Sequence, residues 1–488
     1  MNHLTQAFAT GMTTTENGAN AVRGTGSALL DLFATAGAWR GTDAQLRQLF
    51  DNAFAEDPTL AMRIVFWVRD IRGGQGKRDI FRKLMAFAQR HLSHAQAHNL
   101  AGLVPEYGRW DDVFYIGNPE AAQVMVREQL MADAKAEHPS LLAKWMPSEN
   151  TSSRTTVALA KSIRKALGMT AREYRKMLSE LRRRISLVEH RMTQNEWTGI
   201  RYEAVPSQAM LKYRNAFSRH DAEGFVRYLG DVKSGRKEIK ASTLYPDQLV
   251  GKYLDGRSYY TTRMGSGGVD EVVEAQWKAL PDYFKGKSEN AIVVADVSGS
   301  MHGRPLCVSI SLALYCAERN EGAFHNKFIT FSTDSQIQDV VGDTLAEKVS
   351  NLSRAHWEMT TNIESVFTNI LRYAVKNRIA PSEMVSRIFI VSDMEFNQAT
   401  GGGRSTETLF ETFKRRYAEA GYKLPSIVFW NVNARNVQFP ISKDESSMQM
   451  VSGHSPSIIK DLLGNDFKTP MEQMLIVLNG ERYAPVKV

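Results

Sequence analysis

The sequence predicts two fold classes in series. An all-α N-terminal half of HEAT-like helical repeats is followed by an α/β domain with a doubly wound, mostly parallel sheet. Two observations carry this. Apolar residues recur at helical spacing through the first half, between Gly, Pro and Asn breaks. From residue 290 onward, short β-branched runs alternate with amphipathic stretches, the pattern of strand–helix crossovers.

In order, helices are expected at 27–36, 42–54, 58–69, 77–91, 94–103, 111–115 and 121–137. A long basic helical stretch covers 151–189, with Gly168 as its break, and the pattern resumes at 207–230. Lengths of this kind with short connections suggest stacked antiparallel pairs, although no strict sequence period is present. The 241–268 stretch is richer in Gly, Pro and Tyr, and one helix at 269–284 leads into the sheet. Strands are expected at 291–295, 327–331, 337–340, 387–391 and 426–430. Helices are expected at 305–319, 362–375, 406–420, 457–463 and 470–478. The expected division is a helical domain 1–240, a linker and connecting helix 241–289, and an α/β domain 290–488.

Composition bounds the function classes. The chain has 488 residues, 43% hydrophobic and 23% charged, which is ordinary for a globular protein. No apolar run approaches a membrane span, and the N-terminus lacks a basic-then-apolar leader, so a cytoplasmic protein with no membrane partner is expected. Cys307 and Cys316 lie in one predicted helix and are read as buried apolar residues rather than as a disulfide or a zinc site. The net charge of +8 is unevenly spread. Residues 151–240 hold 20 Lys/Arg against 9 Asp/Glu, a formal +11, which leaves −3 for the rest. That asymmetry points to a polyanion, with a solvated helix face as the plainer alternative.

The most informative stretch is Ala291-Ile-Val-Val-Ala-Asp-Val-Ser-Gly-Ser-Met301. A central strand ends in Asp296, Ser298 and Ser300, at the sheet edge where open α/β folds place ligands. One carboxylate and two hydroxyls from one turn are hard oxygen donors, suited to Mg²⁺ foremost, or to Mn²⁺ or Ca²⁺. The plainer reading makes Ser300 a helix cap. Two later segments favour the metal: Thr360 and Thr361 lie in a polar turn before a helix, and a second apolar strand ends in Asp393.

With these motifs the C-terminal part resembles a von Willebrand factor A domain with its metal-ion-dependent adhesion site. The resemblance implies Asp296, Ser298 and Ser300 as the first ligand loop, Thr361 as the second-loop ligand and Asp393 as the third-loop carboxylate. Glu358 and Met359 replace the usual Gly-Gly, which leaves Thr360 and Thr361 both open. Met394 replaces the usual Gly after the Asp, and Glu395 lies close enough to add or compete.

In the helical half, Asp70-Ile-Arg-Gly-Gly-Gln-Gly-Lys-Arg-Asp79 joins two helices. Its glycines and Arg72, Lys77 and Arg78 would suit a phosphate, or form a plain helix–helix turn. Tyr107, Trp110 and Trp145 are read as packing residues. The order of a helical half carrying this turn and then an A-type domain resembles the TROVE family, the Ro ribonucleoproteins. The resemblance extends to an uncharacterised relative of that group through Thr15-Glu-Asn-Gly18, Pro105-Glu-Tyr-Gly-Arg-Trp-Asp-Asp112, Asp296-Val-Ser-Gly-Ser-Met301 and Ser392-Asp-Met-Glu-Phe396. In that family helical repeats close into a ring that binds small noncoding RNA.

The expected function is therefore noncatalytic binding of small noncoding or structured RNA. Phosphate contacts would come from Arg164, Lys165, Arg172, Arg175, Lys176, Arg182, Arg183 and Arg184, besides Arg72, Lys77 and Arg78. The alternative is a metal-dependent adaptor whose A-type site captures an acidic residue of a partner protein. No Ser/His/Asp or Cys/His pattern points to an enzyme.

Overall fold

The structure is a computed structural model. It describes residues 12–15, 20–115, 119–185, 187–254, 268–287, 290–331, 335–353, 363–395, 406–463 and 468–488. The chain forms two compact units. One comprises Met1–Asp57 with Ala241–Gly480, the other Pro58–Lys240 with Glu481–Val488.

Along the chain, the first unit opens with an antiparallel pair, β1 (Met12–Thr14) and β2 (Asn20–Val22), then α1 (Ala28–Ala36) and α2 (Asp43–Glu56). The second unit contributes α3 (Pro58–Arg69), α4 (Arg78–Ala88), α5 (His94–Tyr107), a 3-10 turn at Trp110–Tyr115, α6 (Pro119–Lys135), α7 (Leu142–Trp145), α8 (Arg154–Ala166), α9 (Ala171–Arg184), α10 (Val188–Thr193), α11 (Ser207–His220) and α12 (Ala222–Lys233). The chain then returns to the first unit with α13 (Pro246–Val250) and α14 (Glu271–Lys278). There follow β3 (Ala291–Ala295), α15 (Arg304–Arg319), β4 (Lys327–Thr330), β5 (Ile337–Asp339), α16 (Leu345–Ser353), α17 (Ile363–Lys376), β6 (Arg387–Ser392), α18 (Thr406–Glu419), β7 (Ser426–Asn431), β8 (Met448–Ser452), α19 (Ile458–Leu462) and α20 (Pro470–Leu478).

The expected fold class holds: a helical N-terminal region precedes a six-stranded, mostly parallel α/β sheet. The sheet order is β5-β4-β3-β6-β7-β8, with only β5 antiparallel to its neighbour. Strands β3, β6 and β7 are buried at every position, which explains their near-continuous apolar sequences. The chain leaves β3 towards β4 and leaves β6 towards β7. The β3/β6 pair is thus the topological switch point, where the strands' carboxyl ends open a crevice. Helix α15, which follows β3, is buried along most of its length, and Cys307 and Cys316 are free thiols within it.

The compact units do not follow chain order, because residues 1–57 group with the sheet. Helix α1 lies on β8: Ser452 Oγ donates to the Phe33 carbonyl (2.8 Å) and accepts from the Gly37 N–H (3.0 Å). A Cβ at Gly37 would stand 2.4 Å from the Ser452 carbonyl oxygen, so this close approach requires glycine. The Glu56 carboxylate accepts from Ser27 Oγ and the Ala28 N–H and so caps α1. Strand β8 was not expected from the sequence. Its Met-Gln-Met-Val-Ser sequence reads as half-polar, yet all of it is buried.

Local rules account for the basic pair α8 and α9. Ser153 caps α8, Gly168 follows its end at φ +69°, and Thr170 with Glu173 forms a capping box that starts α9. Tyr174, Leu178 and Leu181 form the buried stripe of α9.

Candidate functional site

The crevice at the switch point gathers the oxygen donors expected from the sequence. Asp296 is 1% exposed. Its Oδ1 accepts the Ser298 N–H at 2.8 Å and its Oδ2 accepts the Ser392 hydroxyl at 2.6 Å. Ser298 Oγ and Ser300 Oγ lie 3.2 Å apart. Asp393, 4% exposed, follows β6 on the adjacent strand. Burial raises the Asp296 carboxyl above the usual carboxylate range, and the charge of Asp393 pushes it further the same way. Thr360 and Thr361 lie outside the described residues.

The backbone after β6 is bent to present these groups. Met394 sits at φ +68°, in the left-handed region that costs a side-chain-bearing residue about 1 kcal/mol. The Met394 N–H donates to Ser392 Oγ at 3.1 Å and the Glu395 N–H donates to Asp393 Oδ1 at 3.3 Å.

Sequence reasoning missed the loop after β7. Asn433 Nδ2 donates to the Ser300 carbonyl (3.2 Å), and Arg435 Nη2 to Asp393 Oδ2 (2.6 Å). Asn436 and Gln438 both donate to the Glu395 carboxylate, at 3.0 and 2.8 Å. Glu395 is therefore held by two amides. The signal was available: this polar run begins at the carboxyl end of a predicted parallel strand, the same edge that holds Asp296 and Asp393.

The donor chemistry suits a hard divalent cation. Two buried carboxylates and two hydroxyls stand together with one guanidinium on one side. Among the described residues the buried Asn433 Oδ1 has no hydrogen-bond donor. Among the described residues no group of three or more His, Cys, Asp or Glu is placed to hold a metal, so the set is an oxygen set of carboxylate and hydroxyl.

In the helical unit, the Asp70–Lys77 turn does not cradle an anion through its backbone. The N–H groups of Arg72 and Gly73 donate to the Asp70 carboxylate, those of Gln75 and Lys77 to the Trp67 and Val68 carbonyls, and that of Gly76 to the Asp70 carbonyl. Arg482 Nε and Nη2 and the Tyr483 hydroxyl complete Asp70, and Tyr483 stacks on Tyr107. Arg72 is exposed and donates to the Glu106 carbonyl at 3.2 Å. Lys77 is half-buried, and Arg78 is exposed but lowered from its ordinary pKa by partial burial and by the nearby Arg109 and Arg82.

The basic helices divide sharply. Arg182 donates to the Ala143 carbonyl (2.8 Å), the Met146 carbonyl (2.8 Å) and Ser148 Oγ (3.0 Å). Arg184 donates to the Asp133, Ala134 and Ala136 carbonyls at the end of α6. Arg164 pairs with Glu149 at 2.7 Å. These three hold the helices together. Arg183 pairs at the surface with Glu180, and Arg175 donates to its own helix at the Ala171 carbonyl. Lys165, Arg172 and Lys176 are exposed and have no side-chain partner among the described residues. Lys161 and Lys165 share one exposed face of α8, and Arg172, Lys176 and Arg183 share one face of α9.

Comparison with known proteins adds lineage. A family model described as a domain of unknown function (DUF7788) matches residues 290–482. A second, a domain of unknown function (DUF2828), matches residues 15–115 and 122–289. The uncharacterized protein L728 of Acanthamoeba polyphaga mimivirus is 31% identical, over 97% of this chain and 88% of its own length. Matched over more than half of its length by the one model and nearly end to end by the viral relative, the chain belongs to the DUF2828 family, with a DUF7788 region following in the same chain.

Proposed function

We propose that this is a noncatalytic, cytoplasmic RNA-binding protein, similar in plan to the Ro ribonucleoproteins of the TROVE family. It would hold small structured RNA on the exposed faces of α8 and α9. The supporting observation is the division among the cations. Lys165, Arg172 and Lys176 are exposed and without side-chain partners among the described residues, whereas Arg164, Arg182 and Arg184 are engaged in the fold. Exposed cations repeated along helix faces, Lys165 on α8 and Arg172 with Lys176 on α9, suit the phosphate backbone. No helix among the described residues is long and apolar enough to cross a membrane.

The test is a filter-binding titration of a small structured RNA against salt. Reversing Lys165, Arg172 and Lys176 to Glu should weaken binding for every RNA sequence. It should also flatten the salt slope by about 0.7–0.9 for each phosphate no longer neutralised. Unchanged affinity would remove these helices from the account.

The second reading is a metal-dependent adaptor, favoured by the paired carboxylates of the sheet crevice. In an A-type arrangement Asp296, Ser298 and Ser300 would hold a Mg²⁺, Mn²⁺ or Ca²⁺ ion with Asp393 beside them. When bound, the ion supplies an open coordination position for an acidic group. Ser392 and the Ser298 N–H orient Asp296, and the loop after β7 restrains Asp393 and Glu395. Capture of an acidic partner that survives both Asp296→Ala and chelation would sink this reading.

A further inference from the structure

In the helical unit, a cavity of ≈ 540 Å³ opens between α4, the Trp110–Tyr115 turn, α7 and the starts and ends of α8 and α9. We propose that it is a nucleobase pocket, which stacks one unpaired base of single-stranded RNA on Tyr115 and sets its phosphate against Lys144. The inference rests on the RNA-binding reading above and names where single strands, as opposed to duplexes, are held.

Size and chemistry both fit. The volume is in the range of small-molecule sites and accommodates a nucleotide. Tyr115 is 42% exposed, so part of its ring is available to a ligand in the cavity. The Arg82 guanidinium lies 3.9 Å from the Tyr115 ring centroid, and the Arg109 guanidinium lies 3.9 Å from that of Trp145. The Arg82 guanidinium sets the tilt of the Tyr115 ring, and the ring's exposure leaves it surface on which a base can stack. Those cations are themselves anchored. Arg82 bonds Asp112 at 2.7 Å and Asp111 at 2.8 Å, and Arg109 bonds Asp111 at 2.9 Å. Burial alone would raise the Asp111 carboxyl, but Arg109 and Arg82 hold it below the usual range. The ring-and-guanidinium frame is therefore neutralised from behind and rigid.

The polar groups at the mouth are less engaged. Lys144 reaches Glu189 only at 3.8 Å, and its ammonium lies 5.6 Å from the Trp145 ring centroid, at the longer end of both kinds of contact. Asn150 is exposed with no side-chain partner among the described residues, and its carboxamide offers both a donor and an acceptor to a base edge. Arg182 lines the cavity while bonded to Ser148 Oγ, so the wall between α7 and α9 is fixed. An aromatic platform flanked by cations, with hydrogen-bonding groups at the rim, is the chemistry that holds unstacked bases. A purely apolar ligand would leave these groups unpaired.

The test compares two probes on the full chain: a fluorescein-labelled single-stranded oligoadenylate and a blunt RNA duplex. Tyr115→Ala should weaken oligoadenylate binding about tenfold and leave the duplex unchanged. Tyr115→Phe, which keeps the ring, should restore it, and Asn150→Ala should produce a smaller loss for the single strand alone. Because Tyr115 and Asn150 are exposed, these variants keep the fold, as circular dichroism will verify. If Tyr115→Ala binds oligoadenylate like the parent while the Lys165/Arg172/Lys176 reversal weakens both probes, the pocket is overturned and the RNA reading stands. If the parent chain binds neither probe at low salt, both fall.

Discussion

Asp70 and Asp296 are both buried aspartates at the head of a glycine-containing turn, and they are finished in opposite ways. Asp70 is 0% exposed and is met by the Arg482 guanidinium, the Tyr483 hydroxyl and two backbone N–H groups. Its charge is matched within the fold. Asp296 is 1% exposed and is met by one backbone N–H and one hydroxyl, with a second carboxylate beside it. Among the described residues no cation is bonded to Asp296. Burying a charge is tolerable when it is paired and hydrogen-bonded. The first aspartate is a structural clasp, and the second is the kind of group that takes a cation as ligand.

The sharpest way to break this contrast is mutation of the clasp. Asp70→Ala should destabilise the protein by about 3 kcal/mol, because the Arg482 guanidinium, the Tyr483 hydroxyl and two backbone N–H groups lose their shared acceptor. Urea unfolding checks it, and a loss under about 1 kcal/mol would mean that Asp70 is not the clasp described. Next in size is the metal arm. Mg²⁺ at about a hundred times its dissociation constant should stabilise the parent by about 2.7 kcal/mol and Asp296→Asn not at all. In the presence of EDTA the same substitution should change stability little, since it removes a like-charge neighbour of Asp393. A metal response that persisted in Asp296→Asn would place the ion elsewhere.

The cations of α9 allow the same comparison within one helix. Arg182→Ala should cost about 1.5–3 kcal/mol by stranding three acceptors. Lys176→Ala, one and a half turns away on the exposed face, should stay within about 0.5 kcal/mol. Thermal unfolding of the two variants separates them. Equal losses would erase the distinction between structural and available cations on which the RNA reading rests.

How far the sequence could be read follows the same physical line. Strands β3, β6 and β7 were legible because burial on both faces leaves an uninterrupted apolar run. Strand β8 was not, because its Gln449 and Ser452 are polar side chains buried with partners supplied by distant residues, Gln473 and Phe33. Asp296, Ser298 and Ser300 could be placed at one sheet edge from their spacing alone. That Arg182 and Arg184 serve carbonyls at 133–146 could not be read, because the acceptors are backbone groups far along the chain. The phase of α9 was readable: Tyr174, Leu178 and Leu181 mark its buried stripe, and Arg182 adjoins that stripe while Lys176 does not. Arg435, Asn436 and Gln438 were missed although the strand before them was expected, because a polar loop has no pattern of its own and its only signal was its place at that strand's carboxyl end.

Asp461 extends the comparison to a third carboxyl, one that is half-buried. Burial pushes its pKa up from 3.8 to about 6, and the charges of Lys460 and Lys287 only partly oppose that. A carboxyl whose folded pKa lies above its unfolded one binds more protons in the native state. Its contribution is therefore fully favourable below about pH 3.8 and is lost as pH rises through about 6. Asp461→Asn does not titrate, so its stability relative to the parent should rise between those values and then level off. Discounted for the partial exposure of this residue, the gain at neutral pH should be about 1 kcal/mol. Chemical denaturation at a series of pH values checks it. A flat difference across the range would mean that Lys460 and Lys287 neutralise Asp461 as fully as Arg482 neutralises Asp70, and burial without a matched cation would then not be what separates the carboxyls of this chain.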